Sequence, residues 1–193
     1  IAAFTPGVKA HAPTLLYVGR VKKYKGIDHL IRVLPNVYKR FPDIEVEIIG
    51  RGDAVEYLGK LAHELGVGDI IHFRGFVNEA EKLSYYQKGW ILCFLSEKEG
   101  FGLTVAEAAL CRTPTVGYDV PGLRDAISPG ETGLLAPYGD LASLENMLVE
   151  LLENQEERTR LADNAYQKYA SFTWEVSADS MEQALLEVLR NNR

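Results

Sequence analysis

Short apolar runs alternate with helical patterns along most of this 193-residue chain. Apolar runs bounded by glycine or polar residues predict strands, whereas apolar residues spaced three and four apart predict helices. Six runs are predicted to be strands: TLLYVGR, IEVEIIG, IIHFRG, WILCFLS, TPTVGY and TGLLAP. Strands that alternate with helices form βαβ units, so the chain is predicted to be an α/β protein with a doubly wound parallel sheet of about six strands.

The helical patterns fall between these runs and at the end of the chain. Helices are predicted over residues 27–41, 55–65, 79–87 and 103–110, with a short one at LRDAI. Asn78 and Glu81 have the spacing of a capping box, which predicts that the third helix starts after Asn78. From Leu141 onward the pattern is helical, with breaks near Asn154 and at 171–174.

Composition excludes several classes of function. The net charge of −6 argues against a general nucleic-acid-binding protein, so any phosphate site must be local. Cys93 and Cys111 lie in apolar runs without a CxxC partner, which predicts reduced core residues and hence a cytoplasmic protein. No apolar run approaches the about 20 residues needed to cross a bilayer, so this portion is expected to be soluble. Residues 1–13 have neither helical nor strand period and are interpreted as the remnant of an interdomain linker.

In open α/β sheets ligands bind at the carboxyl ends of the strands, so the loops after the strands are the candidate site. The first of these, GRVKKYKG, ends a strand and opens a helix. Arg20 follows the strand directly, where its guanidinium can bind two phosphate oxygens at once. Lysines in a loop are most often solvated, and this is the preferred interpretation for Lys22 and Lys23.

The second loop, IIGRGD, half-resembles a dinucleotide fingerprint. Gly50 and Gly52 follow a strand and precede a helix, but Val55 stands where the third glycine belongs. A tight turn is the favoured interpretation. Arg74, at the end of the next strand, keeps an NADP-dependent oxidoreductase open as an alternative, since an arginine there can bind a 2′-phosphate.

The third loop leads into EGFGLTVAEAAL, residues 99–110. Gly100 and Gly102 leave backbone N–H groups unshielded just before a helix, which is a favourable site for an anion. Glu99 and Glu107 would be repelled by such an anion unless each accepts hydrogen bonds from hydroxyl groups, as sugar and ribose provide. The alternative for Glu107 is a capping box with Thr104, and for Glu99 a carboxylate facing water.

Five segments together, in order and spacing, resemble the donor-binding C-terminal domain of the retaining glycosyltransferases of the GT-B fold, family four. They are GRVKKYKG, IIGRGD, FRGFV, EKEGFGLTVAEA and PGETGLLAPYGD. The strongest element is the E-x7-E signature formed by Glu99 and Glu107, and Arg20 with Lys25 matches independently. The resemblance covers essentially the whole chain and implies a Rossmann-like domain over 14–193 with a helical C-terminal tail. The N-terminal acceptor domain of such enzymes is absent from this sequence.

The resemblance also implies roles for individual residues in binding the diphosphate and ribose of a nucleotide sugar. Arg20 and Lys25 would hold the diphosphate, and Glu107 would accept hydrogen bonds from the ribose hydroxyls. Backbone N–H groups at the helix start would also bind the diphosphate, from Gly102, Leu103 and Thr104.

The remaining implied contacts concern the sugar and the base. Glu99 would contact the transferred sugar near its 3-hydroxyl and stabilise positive charge at the anomeric carbon, as the catalytic residue. Gly100 and Phe101 would line the sugar, while Phe76 and Val77 would line the base.

The expected activity is therefore the transfer, with retention, of a hexose from a UDP- or GDP-sugar to a glycan, lipid or small-molecule acceptor. The acceptor would bind the missing domain, which is also where any peripheral membrane contact would lie, so this piece alone would be inactive. The sequence has no DxD pair, and neither a cofactor nor an obligatory metal is expected, because Arg20, Lys25 and a helix start can stabilise the leaving diphosphate. The alternatives are a non-catalytic nucleotide-sugar-binding module for regulation and a GT-B-like sugar-nucleotide epimerase.

Overall fold

All six predicted strands pair in one parallel sheet in a computed structural model that describes residues 4–171 and 174–191. The strand order is β3-β2-β1-β4-β5-β6. The strands are β1 (Thr14–Val18), β2 (Glu45–Ile49), β3 (Ile71–Gly75), β4 (Ile91–Phe94), β5 (Thr115–Tyr118) and β6 (Gly133–Ala136). The predicted fold, an α/β Rossmann-like domain, is confirmed.

The helices also follow the predicted alternation. They are α1 (Ile27–Arg40), α2 (Val55–Glu64), α3 (Glu79–Lys88), α4 (Leu103–Leu110), α5 (Leu123–Ala126), α6 (Leu141–Glu153), α7 (Gln155–Ala170) and α8 (Trp174–Asn191). The capping box at the start of α3 is present in full, since Asn78 and Glu81 each accept a hydrogen bond from the other's backbone N–H. The predicted break at Asn154 is the N-cap of α7, whereas residues 172 and 173 of the other break lie outside the described residues.

The strand order reverses beside β1, which pairs with β2 on one side and with β4 on the other. Helix α1 packs against α2 and α6, while α4 packs against α3 and α7, so the helices form two groups, which meet where α6 contacts α7. The loops after β1 and β4 leave the sheet in this crevice, where ligands bind in doubly wound folds.

The central strands are buried on both faces, as the near-continuous apolar runs require. Every residue of β1, β4 and β5 is buried. Cys93 and Cys111 are fully buried free thiols, and burial raises their pKa values to about 12 and about 11. The interpretation of both as reduced core residues is confirmed.

The segment 4–13 has no helix or strand and packs along the body of the domain. The indole N–H of Trp90 donates to the Ala10 carbonyl at 2.8 Å. Lys9 Nζ donates to the Cys111 carbonyl at 3.2 Å and to the Thr113 hydroxyl at 2.5 Å. Burial lowers the pKa of Lys9 to about 8.

Several apolar side chains of α8, the last helix of the described residues, are exposed to solvent. Met181, Leu185, Val188 and Leu189 are each more than half exposed and recur at helical spacing. Across residues 4–171 and 174–191, no helix combines the length and apolar character needed to cross a membrane.

Candidate functional site

The loop between β1 and α1 places Arg20 and Lys25 at the carboxyl end of the sheet. Arg20 is exposed, and its Nη2 donates to the Tyr24 hydroxyl at 2.9 Å. Lys25 is only 8% exposed, with Nζ 5.1 Å from the centre of the Tyr24 ring and 5.6 Å from that of Phe94. A lysine this buried needs a charged partner, and the loop after β4 supplies it.

The partner of Lys25 is Glu99, which forms an ion pair with it across the crevice. The side chains of Lys25 and Glu99 are 11% and 16% exposed, so the pair is largely withdrawn from water. The Glu97 N–H also donates to the Tyr24 carbonyl at 2.9 Å, which fixes the loop after β4 against the loop after β1. The structure therefore brings together two predicted site residues that are 74 positions apart.

Close backbone contacts hold these loops in place. A Cβ on Gly26 would lie 2.2 Å from the Leu95 carbonyl oxygen. A Cβ on Gly122, which lies in the loop after β5, would lie 2.3 Å from the Glu99 carbonyl oxygen and 2.6 Å from that of Gly100. The segment that carries Glu99 and Gly100 is thus packed against the loop after β5. An added Cβ on Gly100 would meet nothing within 4 Å, so the other side of this segment is open.

Gly50 and Gly52 have a structural role that explains the incomplete fingerprint. A Cβ on Gly50 would lie 1.8 Å from the Gly19 oxygen, and one on Gly52 1.8 Å from the Val21 oxygen. The Val21 N–H donates to the Arg51 carbonyl at 2.9 Å, so the loops after β1 and β2 pack backbone to backbone. These glycines therefore serve the backbone structure, as the tight-turn interpretation expected, because they allow the loop after β2 to approach the loop after β1.

Arg74 does not remain available for a 2′-phosphate. Its Nε and Nη2 donate to the two carboxylate oxygens of Glu47 on β2, at 2.7 and 3.0 Å. The guanidinium is used in a cross-strand pair, and the NADP alternative loses the residue on which it depended.

The start of α4 is the second half of the site. Gly102 is the N-cap in a left-handed conformation, with φ of 75°, which a glycine adopts without strain. Leu103 is 62% exposed and Phe101 37% exposed on either side of it. The N–H groups of Leu103 and Thr104 lie in the first turn, where the helix offers no acceptor. The buried Thr104 hydroxyl likewise has no hydrogen-bond partner among the residues described.

The capping-box alternative for Glu107 is wrong. Helix α4 begins at Leu103, so Thr104 is inside its first turn, and no side chain caps it. The Glu107 carboxylate contacts α3 instead, accepting from the Tyr86 hydroxyl at 2.7 Å and from Lys82 Nζ at 3.3 Å. Glu107 is 17% exposed, so it still borders solvent.

The predicted base-lining residues follow β3. Phe76 is 72% exposed, and the Arg51 guanidinium carbon lies 5.6 Å from the centre of its ring. Val77 is half-buried and packs against the core. Arg51 and Phe76 thus form an exposed cation–π pair at the carboxyl ends of neighbouring strands.

Three residues of this region were missed by the sequence analysis. Tyr86 and Lys82 contact Glu107, and Arg51 contacts Phe76. Helical spacing places Lys82 and Tyr86 on one face of α3, but nothing in the sequence indicates that this face meets α4.

Comparisons with known proteins bear on the family and the fold of the chain. A family model described as glycosyl transferases group 1 matches residues 3–168. D-inositol 3-phosphate glycosyltransferase from Corynebacterium diphtheriae is 30% identical over 182 residues, which are 91% of this chain and 43% of that protein. The chain therefore spans less than half the length of this relative.

Two solved structures share the fold. Sucrose-phosphate synthase from Thermosynechococcus elongatus superimposes with a TM-score of 0.85 at 28% identity, over 98% of this chain and 51% of that one. Anabaena HepE in complex with UDP-glucose superimposes with a TM-score of 0.80 at 21% identity, over 92% of this chain and 49% of that one.

Proposed function

The chain belongs to the glycosyl transferases group 1 family, and from this premise we propose that it is the donor-binding half of a retaining glycosyltransferase. Its donor is a UDP- or GDP-hexose, and its acceptor binds a part of the whole protein that this sequence does not include. The observation that carries the proposal is the buried Lys25–Glu99 pair beside the open start of α4. A cation, a carboxylate and the N–H groups of a helix start are then all supplied from loops at the carboxyl edge of the sheet.

The diphosphate is assigned to the cations and the helix start. Arg20 is exposed and Lys25 lies in the loop's last turn, so the two approach from the β1 side. The N–H groups of Gly102, Leu103 and Thr104 approach from the α4 side, where the helix start adds up to about 2 kcal/mol for an anion.

The ribose is assigned to a residue further along α4, and the base to the segment after β3. Glu107 lies one turn into the helix, and its exposed edge can accept hydrogen bonds from two hydroxyls. Phe76 offers an exposed ring on which a base can stack, with Val77 beside it.

The transferred sugar is assigned to Glu99, Gly100 and Phe101. We place the sugar ring beside Glu99 on the side of Gly100 where an added Cβ would meet nothing within 4 Å. As the bond between the anomeric carbon and the diphosphate breaks, positive charge grows on the sugar and negative charge on the leaving group. Glu99 stabilises the first charge, while Arg20 and Lys25 stabilise the second without requiring a metal ion.

Two of the comparisons support the donor and acceptor classes. HepE, part of which shares this fold, is solved in complex with UDP-glucose, a nucleotide sugar. The relative from C. diphtheriae is named for D-inositol 3-phosphate. A small polyhydroxylated acceptor is therefore the class that we propose for the whole protein.

Calorimetric titration of this chain with UDP and with GDP tests the proposal. We expect at least one of them to bind, and Arg20→Ala and Glu107→Ala each to weaken binding by about 10-fold or more, since each removes hydrogen bonds to a charged group. Arg40→Ala and Glu56→Ala, exposed changes on α1 and α2, serve as matched controls and should bind as the unmodified chain does. Equal affinities in all five proteins would contradict the site assignment.

A further inference from the structure

Two side chains of α3 donate hydrogen bonds to the Glu107 carboxylate. The Tyr86 hydroxyl donates to Oε2 at 2.7 Å, and Lys82 Nζ lies 3.3 Å from Oε1. Each contact reaches a different carboxylate oxygen, so together they fix both the position and the rotation of the carboxylate plane. A carboxylate has about four acceptor positions, and two remain for a ligand.

Both contacts are protected from competing water. Tyr86 is completely buried, and the Lys82 and Glu107 side chains are only 18% and 17% exposed. Phe4 packs against both Tyr86 and Lys82, with its ring centre 5.7 Å from that of Tyr86 and 5.2 Å from Lys82 Nζ. Rotation of Glu107 would break a hydrogen bond in a poorly hydrated environment, which costs more than the same break at a surface.

The protonation states suit an acceptor. Burial, and then the negative charge of Glu107, raise the pKa of Tyr86 well above its ordinary value, so this residue remains a phenol that donates. Burial tends to lower the pKa of Lys82, but Glu79 and Glu107 raise it overall, so the lysine remains charged. Glu107 thus receives two donors while its outward lone pairs stay available.

We propose that Tyr86 and Lys82 are positioning residues that orient Glu107 to accept hydrogen bonds from the 2′ and 3′ hydroxyls of the donor ribose. This inference rests on the proposed function, since it takes Glu107 as the ribose contact. The two residues never touch the ligand. They set how strongly the site discriminates a ribonucleotide from one without these hydroxyls.

The experiment compares UDP with 2′,3′-dideoxy-UDP, and GDP with its dideoxy form, by calorimetric titration of this chain. We expect the unmodified chain to prefer the ribonucleotide by about 10-fold or more. Tyr86→Phe keeps the ring and removes one hydroxyl, and should reduce this preference to within about threefold while leaving the dideoxy affinity unchanged. Glu107→Gln should reduce the preference similarly, and the variant with both Tyr86→Phe and Glu107→Gln should show no further loss, because both changes act on one contact.

Lys82→Met is the second variant, which retains the aliphatic stem and does not disturb the buried ring. It should also reduce the preference, although less than Tyr86→Phe does, because its contact is longer. Tyr85→Phe and Lys88→Met are matched controls on the same helix and should keep the full preference.

The outcomes separate the two proposals. Binding of UDP or GDP with the preference intact in both Tyr86→Phe and Lys82→Met would overturn the inference and leave the proposed function standing. The inference would also fall if Tyr86→Phe weakened the ribo and dideoxy forms equally, as a loss of general structure would. No binding of either nucleotide by the unmodified chain would overturn both.

Discussion

Lys25 and Glu99 neutralise each other across the crevice, although the proposed function gives them different parts of one ligand. Both side chains are more than four-fifths buried, so neither charge is well solvated without the other. A diphosphate that approaches Lys25 must therefore compete with Glu99, and a sugar hydroxyl that approaches Glu99 must compete with Lys25. Nucleotide and sugar are expected to influence each other's binding through this pair.

Glu99→Gln tests this coupling. The change removes the carboxylate charge and leaves Lys25 as a buried cation with no anionic partner, so UDP should bind several-fold more tightly. The affinity for UDP-glucose relative to that for UDP should fall, because the side chain at position 99 becomes a weaker acceptor for the hydroxyl of the sugar. Parallel titrations with the two ligands measure the ratio, and Glu97→Gln, an exposed neighbour, should leave it unchanged. A fall in UDP affinity would contradict the competition between Glu99 and the diphosphate.

Gly122→Ala should disturb the site through the backbone. Its φ is 83°, and the added Cβ would meet the Glu99 and Gly100 oxygens. Gly139 has a similar φ of 79° with nothing within 4 Å, so Gly139→Ala reports the cost of the left-handed conformation alone, about 1 kcal/mol. We expect Gly122→Ala to lower the free energy of unfolding by about 1–3 kcal/mol more than Gly139→Ala does, measured with denaturant. Only Gly122→Ala should also weaken UDP binding.

Gly52→Ala isolates the packing of the loops after β1 and β2. Neither Gly52 nor Gly59 has a left-handed φ, but only at Gly52 would a Cβ meet a backbone oxygen, that of Val21 at 1.8 Å. Gly59 lies inside α2 with open space around it, so Gly59→Ala should raise the free energy of unfolding by about 0.5–1 kcal/mol. Gly52→Ala should lower it by about 1–3 kcal/mol. Two changes of the same sign would show that the loops yield without cost.

Lys9 should make stability depend on pH. Its pKa is lowered to about 8 in the folded chain, so between about pH 8 and the pKa of about 10.4 in the unfolded chain the unfolded state binds more protons. Stability from this group therefore rises with pH, by at most about 1.4 kcal/mol per pH unit. The buried thiols oppose this trend in both proteins, since their pKa values are raised, so the informative quantity is the difference from Lys9→Met.

The difference in unfolding free energy between the unmodified chain and Lys9→Met should shift in favour of the unmodified chain from pH 7.5 to pH 9. Lys23→Met, at an exposed position, should show no such shift. A constant difference across this range would mean that the Lys9 ammonium keeps its ordinary pKa.

The order of strands and helices could be predicted from the sequence because each element has its own period. The apolar run that became β4 and the spacing in α1 depend only on local residues, and both appear where expected. The start of α4 at Leu103 also followed from the glycines before it. Ion pairs such as Lys25–Glu99 were not predictable from spacing, because they depend on how two loops approach in space.

Two interpretations show where local patterns mislead. Thr104 and Glu107 have the spacing of a capping box, yet the left-handed Gly102 is the N-cap, so the helix starts two residues too early for Thr104 to cap it. Glu107 instead contacts Tyr86, and this contact depends on how α3 packs on α4, which the local sequence of neither helix indicates. Gly50 and Gly52 resembled a ligand-binding fingerprint, but what lies against them is the backbone of Gly19 and Val21.

The stacking of these loops also bears on how such a domain can be redesigned. The loop after β1 lies between the loops after β2 and β4, and the loop after β5 packs against the loop after β4. At Gly50, Gly26 and Gly122 there is no room between neighbouring loops for even one added Cβ atom. A change in the length of any one loop would be transmitted to the next. The proposed donor site is therefore better altered by exchanging side chains at open positions such as Phe76, or by transplanting the four loops as one unit.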